Sequence, residues 1–116
     1  MIYTATDPTY ADRIINRIEF PTKYFSFRLY KQQCLRLPNG MLCKPLELLC
    51  TNRDINNIII VDNWPISFVL NVSNGIPVRS FTGSQSDTEL LELAKYLKEL
   101  SNEESVIEKL KRDLIF

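Results

Sequence analysis

The sequence predicts an α/β protein, and three observations carry that prediction. Ile58-Ile59-Ile60-Val61 is an unbroken β-branched run, as in a parallel-sheet strand buried on both faces. Two segments, one opening at Asp7-Pro8 and one at Ser86-Asp87-Thr88-Glu89, place apolar residues at helical spacing after a helix-start signal. The predicted order of strand, helix, hairpin, strand and helix fits a mixed fold with parallel pairing.

Met1–Ala5 is short, apolar and aromatic, and reads as the end of a strand. Asp7 is a natural N-cap and Pro8 a natural first helical residue. Tyr10, Ala11, Ile14, Ile15 and Ile18 then form the expected inward side, with Asp12, Arg13, Asn16 and Arg17 opposite. Pro21 ends the helix. Phe25–Tyr30 reads as a strand, and Cys34–Leu37 and Met41–Cys43 flank Pro38-Asn39-Gly40 as a β-hairpin. Pro45–Cys50 reads as a short helix. Ile66–Val72 suits strand or turn, Asn74-Gly75 a turn, and Ile76–Phe81 a further strand. Ser86 to Glu89 forms a capping-box pattern. Leu90, Leu91, Leu93, Ala94, Leu97 and Leu100 are the expected apolar side of the helix it opens. A last helix spans Glu103 to Leu114, with Val106, Ile107, Leu110 and Leu114 inward.

Composition narrows the chemistry. The chain has 116 residues, with 14 basic side chains, 14 acidic ones and no histidine. One domain is expected at this length. The missing histidine excludes His-based acid–base catalysis, Ser-His-Asp and Cys-His pairs, and His metal ligands. Zero net charge argues against direct nucleic-acid binding through phosphate contacts, while leaving room for a local basic patch. Three glycines form neither a Walker nor a dinucleotide loop. No apolar stretch is long enough for a membrane segment, and the first residues do not read as a signal peptide. Cys34, Cys43 and Cys50 contain no CxxC spacing. They are expected as reduced thiols of an intracellular protein, in nucleus or cytoplasm.

Asp62-Asn63 follows the buried strand, where open α/β sheets place ligands. Two oxygen-bearing side chains there suit Mg²⁺, and equally an ordinary turn before proline. Lys44 suits a phosphate or a pairing with Asp62, with a solvated surface lysine as the default reading. Thr4 is either a hydroxyl donor to an oxyanion or a strand-edge threonine. Lys31 reads equally as a surface charge, and Tyr10 and Trp64 as half-buried aromatics.

Taken together, these segments resemble a known family. Tyr3-Thr4-Ala5-Thr6, Tyr10-Ala11-Asp12, Arg28-Leu29-Tyr30-Lys31 with Cys34, Lys44-Pro45-Leu46, Ile60-Val61-Asp62-Asn63-Trp64-Pro65 and Ser86-Asp87-Thr88-Glu89-Leu90 occur in one order. The chain is similar to the FCP/SCP-type phosphatase domain of the haloacid dehalogenase superfamily, the RNA polymerase II C-terminal-domain phosphatases and their small relatives. The resemblance implies a Rossmann-like parallel sheet with a β-hairpin insertion. It also implies Mg²⁺-dependent removal of phosphate from serine or threonine of phosphoprotein tails, through an aspartyl-phosphate intermediate. By the same resemblance, Thr4 hydrogen-bonds the phosphate, Lys44 balances charge, Asp62 orients Lys44 and metal waters, and Asn63 contacts Mg²⁺. Tyr10 and Lys31 fall where the family contacts its substrate peptide.

The family's nucleophile motif, Asp-x-Asp, occurs nowhere among the 116 residues. The expectation is therefore an N-terminally truncated, single phosphatase domain that lacks its first strand and is inactive alone. The alternative is a non-catalytic protein-interaction module.

Overall fold

Residues 1–114 are described by the structure, a computed structural model. The chain divides into two units, Met1–Pro45 and Leu46–Phe116.

In the first unit, β1 (Ile2–Tyr3) and β2 (Arg28–Leu29) pair in parallel, Ile2 facing Arg28 and Tyr3 facing Leu29. α1 (Pro8–Ile18) lies between them in the chain. Pro8 suits the first turn because its missing N–H would have no partner there. Asp7 is the N-cap, but its carboxylate makes no cap hydrogen bond. Only Ala11 and Ile15, one turn apart, are buried on this helix; Tyr10, Ile14 and Ile18 are exposed. The expected inward stripe was thus too wide. Tyr10, Ile14 and Ile18 sit about 100° round the helix from Ala11 and Ile15, and two-residue strands offer little surface to cover them.

Polar ties complete this unit. The Glu19 side chain, 4% exposed, accepts the N–H groups of Tyr24 (2.6 Å) and Phe25 (2.9 Å) and an Arg28 guanidinium N–H (2.6 Å). Arg28 also reaches Asp12 (2.9 Å), and the Tyr30 hydroxyl donates to the same Asp12 oxygen at 2.5 Å. The Phe25 N–H, then the Arg28 guanidinium, then the Tyr24 N–H hold the Glu19 carboxyl down to about 2. The Tyr30 hydroxyl, then Arg28, lower Asp12 as well.

The hairpin forms as expected. β3 (Leu35–Arg36) and β4 (Leu42–Cys43) are antiparallel, Leu35 facing Cys43 and Arg36 facing Leu42. Gly40 takes φ +88° in the turn, a region that favours glycine.

The second unit starts with 3₁₀ turns at Leu46–Leu49 and Ile55–Asn57. β5 (Ile60–Asp62) pairs in parallel with β6 (Gly75–Pro77), in the register Ile60 to Gly75, Val61 to Ile76 and Asp62 to Pro77. The β-branched run is covered on both faces. Ile58 and Ile60 join Leu46 and Phe68 in one apolar cluster. Ile59 and Val61, alternating to the other face, pack against Ile76, Leu100 and Leu110. The helices of that second cluster are α2 (Glu89–Leu100) and α3 (Val106–Asp113).

Three local expectations are corrected. Asn74-Gly75 is no turn: Asn74 closes a kinked 3₁₀ segment, Pro65–Asn74, and Gly75 begins β6. The buried Asn74 amide donates to the carbonyls of Ile55 and Ile58, both at 2.8 Å. The strand expected over Ile76–Phe81 stops at Pro77, because the Arg79 N–H turns to the Glu89 carboxylate (3.0 Å). The capping box does not close. Thr88 is the N-cap without a side-chain bond, and Asp87 accepts the Glu89 N–H at 3.0 Å instead. On this helix Leu90 and Leu91 are exposed, and Leu93, Tyr96, Leu97 and Leu100 turn inward.

Candidate active site

Several of the singled-out residues stand at the carboxyl ends of parallel strands. Thr4 directly follows β1, and its N–H still bonds the Leu29 carbonyl at 2.9 Å. Its hydroxyl lies 3.0 Å from that of Thr6 and accepts the Thr6 N–H at 3.2 Å, so the turn fixes it locally. Lys31 opens the 3₁₀ turn Lys31–Gln33 just after β2. Its N–H donates to the Thr6 carbonyl (3.1 Å), which draws the turns leaving β1 and β2 together. The Cys34 thiol donates to the Thr4 carbonyl at 3.8 Å. The Tyr3 hydroxyl donates to the Gln33 carbonyl at 2.5 Å, and burial raises its pKa well above the ordinary phenol value. Thr4, Lys31 and Cys34 thus belong to one cluster of turns. The side chain of Lys31 is exposed. Tyr10 lies on the exposed side of α1. Lys44, directly after β4, is buried at 9% exposure, which sets aside the solvated-surface reading.

In the second unit Asp62 ends β5. Its Oδ1 accepts the Trp64 N–H at 2.9 Å, the turn chemistry that an aspartate before a proline favours. Asn63 donates its side-chain N–H to the Ser80 hydroxyl at 2.9 Å. With the nitrogen engaged, the amide presents its oxygen, the atom a hard cation takes. Asn63 also borders a cavity of about 270 Å³, lined with Val78, Arg79, Phe81, Asp87 and Leu90.

Mg²⁺ needs near-octahedral oxygen ligands, usually with carboxylates among them. Among the described residues no three Asp, Glu, His or Cys side chains come together.

Sequence reasoning missed Ser80, which orients Asn63, and the tie of Arg28 to Asp12 and Glu19. Ser80 lies 17 residues from Asn63 and carried no local signal. The carboxylates were detectable. Asp12 and Glu19 are seven residues apart, two turns along one helix side, with the Arg28 charge downstream.

A mixed α/β chain with polar groups at the carboxyl ends of short parallel strands is the frame on which many phosphate-handling proteins are built. Residues 1–107 match the NLI interacting factor-like phosphatase family, and the chain belongs to it. It is 38% identical over 106 residues to "CTD small phosphatase-like protein 2" of Dictyostelium discoideum, covering 91% of this chain and 18% of that protein. It is 33% identical over 112 residues to the human "CTD small phosphatase-like protein", covering 97% and 39%. It is 32% identical over 108 residues to "Nuclear envelope morphology protein 1" of Saccharomyces cerevisiae, covering 84% and 24%. The chain thus spans about two-fifths or less of the length of these curated relatives.

Proposed function

We propose that this chain carries the phosphate-handling residues of a Mg²⁺-dependent protein serine/threonine phosphatase of the haloacid dehalogenase type. Its substrates would be phosphoproteins with tails such as the RNA polymerase II C-terminal domain. The observation that carries the reading is the placement of Thr4, Lys31 and Asp62 at carboxyl ends of parallel strands, where α/β folds bind ligands. The β3–β4 hairpin corresponds to the insertion of a Rossmann-like sheet.

In this reading the Thr4 hydroxyl hydrogen-bonds a phosphate oxygen. The buried Lys44 ammonium offsets phosphate charge where water screens it least. Asp62 holds the turn that presents Asn63, and Asn63 is this chain's contact to Mg²⁺. Tyr10 and Lys31 contact the peptide. When bound, Mg²⁺ supplies charge neutralisation; the residues here need further carboxylates to hold it. The aspartyl nucleophile is not among the 116 residues, since no Asp-x-Asp occurs, so the chain alone does not turn over. Relatives named for the RNA polymerase II C-terminal domain and for nuclear-envelope morphology support work in the nucleus or cytoplasm. Among the described residues no helix is long and apolar enough to cross a membrane. A second reading, a non-catalytic interaction module, is favoured by the exposed apolar side chains of α1.

The test is phosphopeptide hydrolysis with and without Mg²⁺. The 116-residue chain gives background rates; turnover abolished by Asn63→Ala would mean that the nucleophile is present after all. In a chain supplied with an Asp-x-Asp strand, Lys44→Ala lowers kcat about 100-fold or more, the scale of losing one charge-stabilising group. Lys31→Ala costs less, and equal losses refute the role of Lys44.

A further inference from the structure

The neutral chain is electrically lopsided. Met1–Pro45 carries 7 basic and 3 acidic residues, a formal +4, and Leu46–Phe116 carries 7 and 11, a formal −4. In the first unit Asp12 and Glu19 are both committed to Arg28. Arg13 and Arg17, one turn apart on α1, have no ion-pair partner among the described residues. A like-charge pair at that spacing costs the helix stability unless something neutralises it. Beside the two arginines lies Ile14, and one turn before Ile14 lies Tyr10, both exposed. Tyr10, Arg13, Ile14, Asn16 and Arg17 line one open depression of about 660 Å³.

We infer that this outward face of α1 docks an acidic peptide segment bearing at least one apolar side chain. Charge complementarity selects the occupant. Paired guanidinium groups match carboxylates in geometry as well as sign, and the depression holds an aliphatic and an aromatic side chain beside them. A nucleic-acid backbone fits less well, because two neighbouring arginines make too short a run of positive charge to follow a phosphate track. The inference deepens the interaction-module reading, which rests on the same face of α1, and it shares Tyr10 with the peptide contact proposed for the phosphatase. Binding here requires no phosphate, metal or turnover.

The experiment uses the whole 116-residue chain and a labelled, unphosphorylated peptide of alternating Glu and Leu, read by fluorescence anisotropy. The expected result is binding that weakens at least about tenfold in Arg13→Glu/Arg17→Glu and weakens with added salt. Arg13→Gln/Arg17→Gln, which keeps good helix formers, weakens it too, with the helical circular dichroism unchanged. Ile14→Ser weakens it without changing the salt dependence. Lys95→Glu/Lys98→Glu, on α2, leaves it intact. Three outcomes overturn the inference. One is peptide binding indifferent to the α1 variants, or absent. Another is equally tight binding of an RNA oligonucleotide. The third is self-association that the same variants abolish, which assigns the face to the acidic unit of a second copy. Phosphatase assays do not enter, so failure here removes the support for the interaction-module reading and leaves the phosphatase reading standing.

Discussion

Replacing Gly75 by alanine puts a methyl group where the Phe68 ring stands. Gly75 has φ −95° and ψ 135°, which alanine adopts without strain, so backbone conformation is not what selects glycine. A Cβ at this position lies 2.3 Å from Phe68 Cδ2, 2.5 Å from Cγ and 2.6 Å from Cε2. Carbon atoms rest about 3.5–4.0 Å apart, so methyl and ring overlap by more than ~1 Å. Phe68 cannot retreat easily, being 4% exposed and packed with Leu46, Ile58 and Ile60. Overpacking of this kind costs about 1–3 kcal/mol. The stiffer unfolded chain returns about 0.4–1 kcal/mol. The overlap of more than ~1 Å puts this site in the upper half of the overpacking range, about 2–3 kcal/mol, so the net expectation is a loss of about 1–2.6 kcal/mol. It is read as a lower urea midpoint at unchanged slope. Phe68→Leu opens space beside the strand, so Gly75→Ala costs about 1 kcal/mol less in that background. The reasoning fails if Gly75→Ala stays within about 0.5 kcal/mol of the parent, or costs the same with Leu at position 68.

Two further predictions concern stability. The Glu19 carboxyl sits at about 2 in the folded chain, against an ordinary 4.5. A depressed pKa contributes stability above pH 4.5 that is lost as pH falls toward 2. The melting temperature of the parent should therefore drop more steeply across that window than that of Glu19→Gln; parallel curves refute the assignment. Leu110 is 1% exposed and packs with Ile76 and Leu100. Leu110→Ala should cost about 2–5 kcal/mol in denaturant melts, and a loss under about 1 kcal/mol would mean that α3 is not part of the core.

The parts of the fold legible in the sequence were those set by local chemistry. Asp7-Pro8 opened α1, Asn39-Gly40 turned the hairpin, and the run from Ile58 to Val61 announced a strand covered on both faces. What was not legible depended on partners distant in sequence. Leu90 and Leu91 have the right period for an inward face, yet the helix is seated on Leu93, Tyr96, Leu97 and Leu100 and leaves both exposed. Asn74-Gly75 is a strong turn signal on its own. The buried Asn74 amide outbids it by serving the Ile55 and Ile58 carbonyls. At the candidate site, residue types and order named Thr4, Lys31, Lys44, Asp62 and Asn63. Only the fold shows that Lys44 is buried and that Ser80 holds Asn63.

The two apolar clusters, one around Phe68 and one around Leu110, both belong to the second unit. Among the described residues, Met1–Pro45 buries only Ala11, Ile15 and Cys43 as apolar side chains. Its coherence comes from the hydrogen bonds that converge on Glu19 and Asp12. Protein segments open in units, and those with the least buried apolar contact open first. The backbone amides around Thr4 and Lys31 are therefore expected to exchange with solvent through shallower, more frequent openings than those of β5 and β6. The half of the chain that carries Thr4 and Lys44, proposed to meet the phosphate, is thus the half whose order a bound ligand can most readily improve, and ligand affinity there includes the work of settling it.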